Sequence, residues 1–137
     1  MRLQSSYPVL LTDDPQAARD FYGTHFGFTP TYESDWYVSL RHAEAPQYEL
    51  AFVRYDHPTV PAAGRQVARG VILNFEVADA AAAWERLGAA GVPVLLALRD
   101  EAFGQRHFIL EGPGGVMLDV IENIPPTPEF ADRYAQA

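Results

Sequence analysis

Cysteine is absent from the 137 residues. That absence removes disulfide frameworks, thiolate zinc sites and cysteine nucleophiles together. Basic residues are scarce: ten Lys and Arg stand against eighteen Asp and Glu, a formal net charge of −8. Such a field repels a phosphate backbone and an anionic bilayer, so neither nucleic acid nor a membrane is expected as a partner, and a cationic ligand is weakly favoured. The same charge also serves solubility alone. Long apolar runs are missing as well. Val92–Leu98 falls far below the roughly 18 residues of a membrane span, and Tyr7–Leu11 is too short for the apolar region of a signal peptide. A cytoplasmic protein is the expectation.

What is present describes a turn-rich globular chain: eleven Pro, ten Gly and seventeen Phe, Tyr and Trp. At this length one domain, or two small halves sharing a core, buries about two-thirds of the unfolded surface. It needs no disulfide or structural metal to stay folded.

The order of elements repeats. Tyr7–Leu11 reads as a buried strand that stops at Thr12-Asp13-Asp14-Pro15. Asp14 is a helix N-cap and Pro15 the first helical residue, where a missing N–H costs nothing. Ala18, Phe21, Tyr22, His25 and Phe26 recur at helical spacing, and Gly27 ends the helix. Phe28–Tyr32, Trp36–Arg41 and Tyr48–Tyr55 read as strands. After a Pro-rich stretch, Val71–Val77 is again a strand, Asp79 caps a helix with Ala83, Trp84 and Leu87 on its buried face, and Gly91 stops it. Val92–Leu98, Gln105–Glu111 and Val116–Ile121 follow, the last two joined by Gly112-Pro113-Gly114-Gly115. The predicted fold is α+β: two tandem βαβββ modules, 5–57 and 70–122, separated by a linker at 58–69 and followed by a polar tail at 123–137. A four-stranded sheet with one helix leaves its other face uncovered, so two such sheets are expected to enclose a curved ligand groove.

The segments Asp14-Pro15 to Phe21-Tyr22, Phe26-Gly27-Phe28, Asn74–Asp79, Gly104–Phe108 and Gly112–Gly115, in this order and spacing, resemble the vicinal oxygen chelate superfamily. That superfamily holds glyoxalase I, extradiol dioxygenases, fosfomycin-resistance enzymes and bleomycin-resistance proteins. The resemblance covers residues 5–122 and implies a divalent metal held by one side chain at each of four strand positions. Counted along this chain, those positions carry Tyr7, Glu49, Ile72 and Asp119. Isoleucine offers no lone pair and neutral tyrosine is a weak ligand, so two carboxylates remain, too few for a Lewis-acid site. Of the four His, only His107 lies on a strand able to face the groove.

No metal, no cofactor and no catalytic residue is therefore expected. Pro8-Val9-Leu10 and the Gly-x-Arg-x-Phe stretch before the glycine turn are similar to bleomycin-resistance proteins, which bind drugs without metal. This implies a homodimer through the N-terminal strand near Pro8, where an arm passes to the partner; equally, Pro8 merely opens an edge strand. The implied function is a non-catalytic small-molecule binder that sequesters an aromatic antibiotic or natural product, neutral or cationic. The alternative is a rearranged enzyme of the same superfamily using Glu49, His107 and Asp119. The expected ligand-binding residues are Tyr7, Trp36, Tyr37, Glu49, Phe52, Ile72, Phe103, His107 and Asp119. Arg99–Gly104 is expected as a loop at the rim. Asp119 is expected to be neutralised either by Arg41 or Arg106, or by a cationic ligand.

Overall fold

The computed structural model of the chain describes residues 1–135. It divides into two units: Met1–Arg69 together with the turn Pro113–Gly115, and Gly70–Gly112 together with the chain from Val116 onward.

The first unit contains β1 (Val9–Thr12), α1 (Pro15–Phe26), β2 (Phe28–Glu33), β3 (Tyr37–His42) and β4 (Glu49–Arg54). Its sheet has the order β1-β4-β3-β2, with β1 parallel to β4 and the other pairs antiparallel. The second unit repeats this with β5 (Ile72–Glu76), α2 (Ala80–Ala89), β6 (Val94–Glu101), β7 (Gln105–Glu111) and β8 (Met117–Asn123), in the order β5-β8-β7-β6. Each unit is a βαβββ module with its strands in the same spatial order.

The helices start for the reason the sequence suggests. Asp14 and Asp79 take extended backbone, and their carboxylates accept from the N–H of Ala17 and Ala82, both at 3.0 Å. Gly27 ends α1 at φ 76°, a left-handed conformation that glycine adopts without steric cost.

Each helix covers one face of its sheet. In the first unit Tyr22 stacks on Phe52 with centroids 5.2 Å apart, beside the buried Val38, Leu40 and Leu50. In the second, Trp84 meets Phe108 edge to face at 5.2 Å, above the buried Leu110, Leu118 and Val120, while Leu87 fills the rest of the helix's inner side. Burying a side chain of this size contributes roughly 1.5–3 kcal/mol, so these clusters dominate each core. On the helix side of the second sheet, Arg106 holds Asp100 with two hydrogen bonds, at 2.7 and 3.0 Å, and reaches Glu122 at 3.6 Å. Glu122 in turn accepts from Ala80 N at the start of α2.

One element differs from the sequence reading. Arg99–Glu101 is not loop but the end of β6, and only Ala102–Gly104 turns. The run of charges suggests solvent, yet Arg99, Asp100 and Glu101 lie opposite His107, Arg106 and Gln105 of β7. The Asp100–Arg106 ion pair directly across the strands and the diagonal Glu101–His107 pair let the strand continue through polar sequence.

The segment after β8 is more ordered than a tail. A short helix α3 (Pro128–Ala131) follows, and the chain bonds to the β6–β7 turn through Ile124 N to Gly104 O, Thr127 N to Ala102 O and the Tyr134 hydroxyl to Phe103 O. Gly104 sits at φ 109°, and a Cβ there would come within 2.9 Å of Ile124 O. The last two residues of the expected tail lie outside the described residues. No helix among the described residues is long and apolar enough to cross a membrane.

Candidate functional site

Alternation along β7 and β8 turns Phe108, Leu110, Leu118 and Val120 to the helix, and His107, Ile109, Met117, Asp119 and Ile121 to the opposite face. There His107, almost fully buried, bridges two carboxylates. Its Nδ1 lies 2.8 Å from Asp119 Oδ1 and its Nε2 lies 2.8 Å from Glu101 Oε2. With both carboxylates ionised each only accepts, so both ring nitrogens donate and the ring stands as an imidazolium. Burial alone would lower the pKa of His107; the hydrogen bonds to Glu101 and Asp119 outweigh it and leave it raised. Glu101 is held below its ordinary value, first by the His107 hydrogen bond and, beyond a smaller opposing cost of desolvation, by Arg99, whose Nε donates to Oε2 at 3.0 Å. Two positive and two negative groups thus balance on this face.

Phe103, in the turn after β6, completes one side. Its ring stands 6.4 Å from the His107 ring and 6.4 Å from Phe130, both edge to face, and it remains 38% exposed. Ile72 opens β5 opposite Met117, and Asn74 lies opposite Asp119.

The corresponding face of the first unit is neutral at its middle and carries charge at its Glu49–Arg41 end. Glu49, Ala51 and Val53 of β4 lie opposite Arg41, Ser39 and Tyr37 of β3. The Tyr37 hydroxyl interacts with Ser39 and Tyr7. Burial pushes its phenol up, the Ser39 hydrogen bond pulls it down, and Tyr7 pushes it up again. Trp36 precedes β3, and its ring is stacked on His57 at 3.6 Å with 7° between planes.

The expected site residues therefore fall into separate groups. Ile72, Phe103, His107 and Asp119 share the second unit, and His107 joins Asp119 directly. Tyr7, Trp36, Tyr37 and Glu49 belong to the first. Phe52 is a correction: it is 1% exposed and faces α1, because Leu50 and Phe52 take the helix side of β4 while Glu49, Ala51 and Val53 take the other. The expected partners of Asp119 are also corrected. Arg106 points to the helix side, and Arg41 lies opposite Glu49; His107 is the neutralising group. Glu101 and Arg99 were not anticipated. The available signal was their spacing of two, which places both on the His107 face once β6 extends that far.

The glyoxalase/bleomycin resistance protein/dioxygenase superfamily model matches residues 4–120. The chain belongs to this superfamily. Among solved structures, a glyoxalase/bleomycin resistance protein/dioxygenase from Nocardioides is similar at a TM-score of 0.74 and 23% identity, over 93% of this chain and 89% of that one. A glyoxalase-related enzyme from Fulvimarina pelagi matches at 0.71 and 22%, over 89% of each chain. A superfamily member from Sphaerobacter thermophilus matches at 0.71 and 20%, over 89% of this chain and 98% of the other. At these identities the likeness shows the fold. No curated protein matches the sequence.

The divalent metal implied for the superfamily's enzymes does not fit the residues present. In the second unit Ile72 has no donor atom, and Asp119 Oδ1 is taken by His107. In the first, Tyr7 supplies a neutral phenol engaged with Tyr37. Glu101 and Asp119 sit on opposite nitrogens of one ring, so the three side chains diverge. Among the described residues no three His, Asp or Glu are placed to hold a metal ion.

Proposed function

We propose that the chain binds a planar aromatic small molecule and returns it unchanged, in the manner of the bleomycin-resistance proteins its sequence resembles. The observation that carries this reading is the Glu101–His107–Asp119 bridge. The strongest donors on the face of the second sheet are committed to one another, beside Ile72 at a position where enzymes of the fold carry a ligand. What the face offers instead is apolar surface from Ile109, Met117 and Ile72, an exposed aromatic edge at Phe103, and one oxygen from each of two carboxylates. Stacking against an aromatic side chain contributes on the order of 1 kcal/mol per good pair, and a few such contacts reach micromolar affinity without chemistry on the ligand. Sequestration of an aromatic antibiotic is the role such binding serves.

Bleomycin-type and quinoline- or quinoxaline-bearing antibiotics, titrated against the whole chain by thermal shift and Trp fluorescence, test the proposal. Trp36 has one ring face covered by His57, so a ligand stacking there uses the other face, and Trp36→Phe removes that signal. Absence of binding across the set rejects the reading. Ligands that mass spectrometry recovers chemically altered favour the enzyme alternative. The same reading includes a homodimer formed near Pro8, and sedimentation showing only a 15.2 kDa species at micromolar concentration removes that part.

A further inference from the structure

The hydrogen-bond inventory of the second sheet limits the polar group a ligand can bring to it. His107 has given both N–H groups to Glu101 and Asp119, and Arg99 Nε points at Glu101. Both His107 donors are thus spent, while the exposed Arg99 keeps its terminal N–H groups. The acceptors that remain are the second carboxylate oxygens of Glu101 and Asp119, and Asp119 is the more buried of the two residues. Asp119 is 8% exposed, yet Tyr22 Oη is the only buried side-chain polar atom among the described residues without a partner. Asp119 Oδ2 therefore reaches solvent while Oδ1 is fixed by His107.

We propose that this face is a subsite for a planar aromatic ligand carrying a hydrogen-bond donor, an amine, amidine or carboxamide N–H, which Asp119 Oδ2 accepts. The proposal rests on the binding reading above and names its ligand class. A donor satisfies an oxygen that is nearly buried, whereas a ligand that only accepts leaves it desolvated and unpaired, and an anionic ligand meets like charge. Because Arg99 and His107 balance Glu101 and Asp119, the ligand need not be cationic; the selectivity is for a donor. Asn74, opposite Asp119 on β5, can pair with an acceptor placed beside that donor. Ile109, Met117 and Ile72 supply the apolar surround.

Three probes of one ring system test this: 3-aminoquinoline, which is uncharged at pH 7, quinoline and quinoline-3-carboxylate, titrated into the full chain with Ile methyl NMR as the readout. The expected result is that the amine shifts the Ile109 and Ile72 methyls and binds at least about tenfold more tightly than the carboxylate. Asp119→Asn, which presents an N–H₂ as well as an oxygen, should narrow that ratio to within about threefold. Equal binding of amine and carboxylate to the wild type overturns the proposal, as does an Asp119→Asn variant with its preference intact. If that variant does not fold, intermolecular NOEs between the wild-type Ile109 or Ile72 methyls and the amine decide in its place. Probes that change Trp fluorescence without moving those methyls bind elsewhere, which defeats this inference and leaves the binding reading standing. If neither these probes nor the antibiotics bind by any measure, the binding reading itself has failed.

Discussion

The two units are built on one frame and differ in what the frame presents. Their N-cap aspartates have nearly identical backbones, φ −144° and ψ 91° at Asp14 against φ −142° and ψ 92° at Asp79, and each accepts from the residue three positions on. Sheet order is the same. On the face away from the helix the likeness stops. The first unit carries phenols and a serine hydroxyl around Ala51, whereas the second carries an imidazolium held between two carboxylates. The frame is constrained by helix starts and core packing, which tolerate few residue types. The opposite face has no such constraint, and the chemistry that distinguishes the halves has accumulated there.

Replacement of aromatics expected at a ligand site should sharpen this division most. Phe52 belongs to the frame, so Phe52→Ala should cost about 3–5 kcal/mol in denaturant unfolding. Phe103 belongs to a presented face, and Phe103→Ala should cost no more than about 1 kcal/mol while weakening ligand binding. Comparable stability losses from the two would break the distinction between frame and face.

The ionic face should give the second unit a pH dependence that the first lacks. His107→Gln removes one of two charge-assisted bonds and leaves Glu101 and Asp119 unbalanced, a loss of about 2 kcal/mol at pH 6. The pKa of His107 is raised, so its contribution is complete below the ordinary 6.5 and fades as pH rises through the folded value. Glu101 is lowered, so its contribution is complete above the ordinary 4.5 and fades as pH falls through its folded value. The wild-type advantage over His107→Gln should therefore peak between about 4.5 and 6.5. A difference that grows from pH 6 to pH 9 would refute the imidazolium assignment. The groups facing the ring are Glu101, Asp119 and, through Glu101, Arg99, with Phe103 at its edge.

Legibility in the sequence follows the same line between frame and face. Caps, stopping glycines and apolar periods are local, so Asp14, Asp79, Gly27 and the order of elements could be read directly. Faces require knowing where a strand ends, and Arg99-Asp100-Glu101 has the composition of a loop although it pairs with β7. Once that strand is cut short, Glu101 never meets His107, and Arg106 becomes the natural partner for Asp119. Phe52 was misplaced for a related reason: Tyr48, Leu50 and Phe52 alternate with Glu49 and Ala51, but both sides of β4 are apolar enough to be buried. Only the stack with Tyr22 decides which side holds the helix.

Cap removal should show the frame's repetition directly. Asp14→Ala and Asp79→Ala each lose one 3.0 Å bond in the same geometry, and each should cost about 1 kcal/mol. The two losses should agree within about 0.5 kcal/mol and should add in the double variant, since the sites share no partner. Unequal losses would show that the units rest on their helix starts to different degrees.

The smallest effect is expected inside the first core. Tyr22 is fully buried against Phe52 and Phe28, burial pushes its phenol well up, and its hydroxyl has no partner. A hydroxyl taken from water without a replacement bond is destabilising, while the ring supplies packing that phenylalanine would retain. Tyr22→Phe should therefore be neutral or stabilise by up to about 1 kcal/mol, against a loss of several kcal/mol for Tyr22→Ala. The second core has no counterpart: Trp84 and Phe108 pack with no buried side-chain atom left unpaired among the described residues. If Tyr22→Phe instead destabilises by more than about 1 kcal/mol, the hydroxyl has a partner such as a buried water, and the first core contains a polar anchor that the second does without.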